Sequence, residues 1–186
     1  EGKFVLNPAA QTTITNMENT SKEFITNYDA DGIHFDDYFY PDDKNFKGSN
    51  TEFRSYTFSS EPDIDYNDYQ TYKTSGGKLS IYDWRRDNVK QLLKGLSDII
   101  RENNITDDYK CAFGISPAAR WAPSVEACPV GSHRGAEGGM NDSCNNYYSY
   151  SDLFADTKKW AVEGWLDYIL PQVYTYLGDT PSGIPD

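Results

Sequence analysis

Apolar positions recur at helical spacing in three stretches of the chain. Between Thr12 and Tyr28, the residues Ile14, Met17, Phe24, Ile25 and Tyr28 fall on one face of a 3.6-residue repeat. From Asp83 to about Asn103 the stripe is clearest, formed by Val89, Leu92, Leu93, Leu96, Ile99 and Ile100. Asp83 is the expected N-cap of that helix, because its side-chain oxygen can accept an orphan backbone N–H. The third helix is expected from Asp152 to Glu163. Ser151 is its cap, Leu153, Phe154, Thr157, Trp160 and Ala161 form one side, and Gly164 is its stop.

Each helix is followed by a short apolar run that reads as a strand: Ile33 to Tyr38, Tyr109 to Ser116 and Tyr168 to Tyr174. A further run, Lys3 to Leu6, opens the chain and ends at Asn7-Pro8. Alternation of strand and helix predicts an α/β fold with a parallel sheet. Strand-to-helix connections are long, at about 41–82 and 117–150, whereas helix-to-strand connections are short. Both long connections leave the C-terminal ends of strands, where parallel α/β folds place their ligands. Neither stretch is low-complexity, although 61–72 is rich in Asp and Tyr.

Composition narrows the partners. Across 186 residues, 29 Asp and Glu stand against 17 Lys and Arg, a formal charge of -12. That balance opposes binding to nucleic acid, whose phosphates need a basic surface, and to an anionic membrane surface. No apolar run approaches the length of a membrane span, so no membrane-spanning segment is expected. Aromatics make up 15% of the chain, including 15 Tyr and 4 Trp, enough to build a core.

The densest chemistry lies in D-G-I-H-F-D-D-Y-F-Y-P, from Asp31 to Pro41. Alternate residues of a strand share a face, so His34, Asp36 and Tyr38 point one way and Ile33, Phe35 and Asp37 the other. A polar face at the C-terminal end of a strand, beside a long loop, marks a candidate site. The competing reading has Asp36 capping the next loop and His34 as a satisfied core histidine. Gln172 and Tyr174 share a strand face and are expected to hydrogen-bond and stack on a ligand, with Asn7 at the first strand end doing likewise. Arg85 and Arg86 open a helix directly after the acidic loop. They read either as ligand contacts, one pairing with Asp36 or Asp37, or as a solvated first turn. Trp84 and Trp121 read either as stacking platforms or as packing aromatics, and Trp160 and Trp165 as core.

Four ordered motifs carry a family resemblance: Asp31 to Pro41, D-W-R-R-D-N-V from Asp83 to Val89, F-G-I-S-P from Phe113 to Pro117, and G-W-L-D-Y-I-L-P-Q-V-Y from Gly164 to Tyr174. Together they closely resemble the glycosyl hydrolase-like 10 family, bacterial and mostly exported proteins with a (β/α)8 TIM-type barrel. The resemblance runs from about Phe4 to Tyr174 and is not carried by the long loops. It implies a glycoside hydrolase acting on a polysaccharide or oligosaccharide, or alternatively a carbohydrate-binding barrel of the cell envelope without catalysis. It also implies an extracytoplasmic location, secreted, periplasmic or lipid-anchored, with the signal outside these residues. The family barrel is distantly similar to the α-amylase-like clan, whose fourth strand presents a nucleophilic Asp in the frame G-x-R-x-D. Gly32-Ile33-His34-Phe35-Asp36 matches that frame with His in place of Arg, which makes Asp36 the nucleophile or transition-state stabiliser. A glycosidase needs a second carboxyl group. Asp37 is one candidate, Glu126 and Glu137 are others, and barrel strands beyond this chain are a fourth source.

The remaining signals are weaker. Asp63-Ile64-Asp65-Tyr66-Asn67-Asp68 begins like a calcium loop but has Asp68 where glycine is expected and Thr74 where Glu is expected. A solvated acidic loop is the default there. His34 and His133 are far apart in sequence, so no zinc site is expected, and no other metal or cofactor. Cys111 alternates with Phe113 and Ile115 and reads as a buried small hydrophobe. In an exported protein, Cys128 and Cys144 are placed to bridge across their Gly-rich loop. A complete (β/α)8 barrel takes about 250 residues. The whole of 1–186 therefore reads as one segment of such a barrel, with about four strands and three helices. Its first and last strands are expected to leave apolar edges through which it self-associates.

Overall fold

The computed structural model describes residues 6–36, 39–40, 65–104, 110–122 and 148–173, with the backbone alone at Ser151 and Asp152. Helix α1 spans Gln11–Asn27 and strand β1 Gly32–Asp36. Helices α2, Tyr66–Thr74, and α3, Ile81–Asn103, follow, and then strand β2, Ala112–Ser116. Helices α4, Ser149–Asp152, and α5, Thr157–Val162, precede strand β3, Tyr168–Ile169. The strands lie side by side in the order β1-β2-β3, all parallel. The α/β class and the parallel sheet read from the sequence are thus present. The strand expected over Lys3 to Leu6 falls almost wholly outside the described residues.

Alternation sorts the sheet into two faces. Ile33, Phe35, Phe113, Ile115 and Ile169 belong to the main apolar cluster, together with Val89, Leu92, Leu93, Leu96 and Ile100 from α3 and Ile14 and Ile25 from α1. Helix α1 packs on α3, so the stripes predicted for both helices meet in one core. Trp160 and Cys111 are buried in it. His34, Asp36, Gly114, Ser116, Tyr168, Leu170 and Gln172 lie on the opposite face. At the far end of β3, Leu170 and Val173 are exposed.

Four local expectations are corrected. Ser80, not Asp83, caps α3: the Asp83 N–H donates to Ser80 Oγ at 3.1 Å, and the Ser80 hydroxyl donates to Asp83 Oδ2 at 2.7 Å. This is a reciprocal cap of Ser with an acid three residues on. The single helix expected over Asp152 to Glu163 is instead two. Phe154 takes a positive φ of 57°, which no helix accommodates, and Asp156 caps the second piece by accepting from the Lys159 N–H at 3.3 Å. Part of the stretch read as an acidic loop is helix α2. Tyr69 of α2 packs against Trp84, ring centroids 5.2 Å apart, in a second cluster with Ile81. The last strand is shorter than expected, continuing past β3 only as a single parallel bridge between Ala118 and Gln172. Gly164 does end α5, at a φ of 69° that glycine adopts without penalty.

Candidate active site

Parallel pairing puts the C-terminal ends of all three strands at one edge of the sheet. Register places Asp36 opposite Ser116, and His34 opposite Gly114, which in turn is opposite Tyr168. The polar face therefore carries ordered rows. The upper row is Asp36 and Ser116, with Gln172 reaching in from the β3 side. Gln172 Nε2 donates to Asp36 Oδ1 at 2.5 Å and to the Ser116 carbonyl at 2.8 Å. An amide nitrogen has two hydrogens, and these bonds use both. The Ser116 hydroxyl donates to the Leu170 carbonyl at 2.9 Å, tying β2 to β3 at the same level. The lower row is His34 and Tyr168, with His34 Nδ1 3.1 Å from the Tyr168 hydroxyl.

A carboxylate oriented by a hydrogen bond at a strand end suits attack on, or stabilisation of, a developing positive centre. Among the described residues of this face, Asp36 is the sole carboxylate. Asp37, Tyr38 and Tyr174 lie outside the described residues, as do Glu126, Glu137, His133, Cys128 and Cys144.

The other residues singled out in the sequence are placed elsewhere. Arg85 does not reach Asp36. It is 2% exposed and grips Asp65, itself fully buried, through Nε to Oδ2 and Nη2 to Oδ1, each 2.7 Å. Its guanidinium also lies 5.3 Å from the Phe154 ring centre and 5.5 Å from that of Tyr40. Asp65 is thus paired inward, and Asn67 and Asp68 lie on α2, while Asp63 and Ile64 lie outside the described residues. Arg86 is buried as well, donating to Asp83 Oδ1 at 2.6 Å and to the Tyr150 carbonyl at 3.2 Å. Trp84 is a packing aromatic, not a platform, enclosed by Tyr69 and Tyr72. The three placements share one cause. The first turn of α3 faces α2 and the 148–156 segment, which cover it.

Trp121 is half-buried, its Nε1 donating to Asp156 Oδ1 at 3.1 Å, with Lys158 Nζ 4.7 Å above its ring. Asn7 donates to Asp68 Oδ2 at 2.7 Å and accepts from the Ala9 N–H at 2.9 Å. The long connection after β2 returns beside its own start: Ser149 N–H donates to the Arg120 carbonyl and Tyr150 N–H to that of Trp121, both at 2.9 Å. A cavity of about 180 Å³ lies between the first turns of α3 and α5, away from Asp36. Its acids and bases neutralise one another, Arg86 with Asp83 and Lys90 with Asp87.

The family model for glycosyl hydrolase-like 10 matches residues 2–182. The chain belongs to the glycosyl hydrolase-like 10 family. It is 36% identical to glycosyl hydrolase YngK of Bacillus subtilis over 157 residues, which cover 84% of this chain and 25% of that protein. It is 33% identical to glycosyl hydrolase DigH of Escherichia coli K12 over 174 residues, 92% of this chain and 32% of that protein. The chain thus spans a quarter to a third of the length of the curated relatives it matches. In this member of the glycosyl hydrolase-like 10 family, the sequence reading missed Tyr168 on the polar face. The signal was present, because Tyr168 stands four residues before Gln172 and alternation puts both on one face.

Proposed function

We propose that this chain contributes part of the sugar-cleaving face of a glycoside hydrolase whose fold is a (β/α)8 barrel. Asp36 is the carboxylate set beneath the anomeric carbon, as nucleophile or as stabiliser of an oxocarbenium-like transition state. The single observation that supports this is Gln172 holding Asp36 Oδ1 at the C-terminal edge of a parallel sheet. Membership of the glycosyl hydrolase-like 10 family supports the reaction class. Asp37 or a carboxylate elsewhere in the full-length protein supplies the general acid. His34 and Gln172 line the site, and the substrate is an extracytoplasmic polysaccharide or oligosaccharide.

A carbohydrate-binding role without hydrolysis is the second reading. It is favoured by Asp36 being the sole carboxylate on this face among the described residues. Reducing-end release by the full-length protein, measured on a panel of soluble glucans, xylans and hexosamine oligomers, separates the two. Release by wild type that falls about 100-fold or more in Asp36→Asn supports the first reading. Binding without release supports the second. Undiminished release by Asp36→Asn overturns the role given to Asp36.

A further inference from the structure

Gly114 sits mid-strand in β2, flanked in register by His34 on one side and Tyr168 on the other. A Cβ built on Gly114 would lie 2.1 Å from Tyr168 Cζ and 2.2 Å from Cε2. The Tyr168 ring therefore fills the space that a side chain on β2 would take. It crosses the middle strand and meets the His34 imidazole at 5.6 Å between ring centres, with the planes 16° apart. Its hydroxyl is 3.1 Å from His34 Nδ1. The contact joins residues 134 apart in sequence, and it exists only because the position between them has no side chain. His34 stands two residues before Asp36 on the same face.

A phenol oxygen is a weak acceptor, because its lone pair delocalises into the ring, whereas an unprotonated imidazole nitrogen is a strong one. The hydrogen bond made by one ring nitrogen decides which nitrogen carries the proton. We propose that Tyr168 donates to His34 Nδ1 and fixes the imidazole in the tautomer with hydrogen on Nε2. Tyr168 is then a positioning residue, and Gly114 is the position that admits it. His34 offers an N–H donor beside the carboxylate row, suited to a hydroxyl or ring oxygen of an uncharged sugar. The sugar contact rests on the glycosidase reading, while the tautomer does not.

Two unlike substitutions are expected to give one result. Tyr168→Phe keeps the ring and removes the donor. Gly114→Ala keeps the donor and puts a methyl group where the ring lies. Tyr168 is 36% exposed, so its ring has room to swing aside without unfolding the sheet. The test is ring-nitrogen NMR of the full-length protein labelled with 15N-histidine, at about pH 8.5, where a model imidazole is neutral. His34→Gln identifies the His34 signals. Wild type is expected to show His34 in the Nε2–H form, and both variants to show averaging between tautomers with the folded spectrum retained. The double variant is expected to go no further than either single one, as for two lesions of one contact.

Hydrogen on Nδ1 in the wild type, or an unchanged His34 pattern in Tyr168→Phe, overturns the proposal. The second criterion stands even if Gly114→Ala fails to fold. On any glycan that the full-length protein hydrolyses, Tyr168→Phe should raise KM by about three- to tenfold, the worth of one hydrogen bond, with little change in kcat. An unchanged KM overturns the sugar contact. Absence of hydrolysis on every glycan bears on the proposed function and leaves the tautomer result standing.

Discussion

The amide of Gln172 holds the carboxylate of Asp36 from across the middle strand, Nε2 to Oδ1, at 2.5 Å. Its second N–H is tied to the Ser116 carbonyl at 2.8 Å, so the amide cannot rotate without losing a backbone bond. A residue that reads as a ligand contact in the sequence thereby orients the carboxylate.

Gln172→Leu removes that restraint and leaves Asp36 in place. A misplacement of about 1 Å at a reacting group costs about 100-fold, so kcat is expected to fall by about 10- to 100-fold while the fold survives. Gln172→Glu should do worse, because a second negative charge faces Asp36. Like charges disfavour ionisation, and the acid limb of the pH–rate profile should move to higher pH. Steady-state kinetics of both variants across pH checks this. An unshifted acid limb in Gln172→Glu would separate Asp36 from the reaction.

The buried pair of Arg85 and Asp65 bears on stability. Breaking a buried ion pair by removing one partner costs about 3–5 kcal/mol, since the other charge is left unpaired. Asp65→Ala should lose about that much in urea unfolding. The double substitution Asp65→Leu with Arg85→Met should lose less, because no charge remains. Turnover per folded molecule should be unaltered by either, in contrast to a substrate contact. A large drop in turnover with normal stability would return Arg85 to the sugar site.

Much of this arrangement was legible in the sequence. The α1 and α3 stripes located both helices to within two residues, and strand alternation put His34 and Asp36 on one face of their strand and Gln172 on a face of another. What was not legible depends on distant partners. Helix α2 has a weak apolar stripe, with Tyr69 as its one buried hydrophobic residue, and it is held by Trp84 rather than by its own periodicity. The chain turns at Phe154 through a positive φ that a bulky residue rarely adopts, so nothing local announced the break. Arg85 is an ordinary first-turn cation until Asp65, 20 residues earlier, is brought beside it. The hydrogen bond from Gln172 to Asp36 spans 136 residues, and no spacing rule reaches that far.

Cys111 offers a check on the core. Its thiol is 1% exposed, and burial, followed by the negative charges of Asp167 and Asp31, raises its pKa above the ordinary thiol value. The thiolate is the reactive form, so both exposure and ionisation are against it. With Cys128 and Cys144 changed to Ser, labelling of the native protein by an aromatic disulfide reagent should be about 1,000-fold or more slower than labelling of the unfolded chain, following the rarity of opening. Rapid native labelling would place Cys111 outside the core.

Asp83 sets an acid limit on the start of α3. Burial opposes its ionisation, but hydrogen bonds from Arg86 and Ser80, together with the Arg86 charge, outweigh burial and hold its pKa below the usual carboxylate value. A carboxyl group whose pKa is lower folded than unfolded stabilises the fold above its unfolded value, about 3.9 for Asp. That contribution disappears as pH falls through the folded value. Asp83→Asn should therefore be less stable than wild type at neutral pH, and the gap should narrow as pH drops below about 4. Urea midpoints for the pair, taken from neutral pH down to about pH 2.5, test the sign. A gap that stays constant across that range would mean that the Asp83 charge adds nothing to the cap beyond the neutral hydrogen bond.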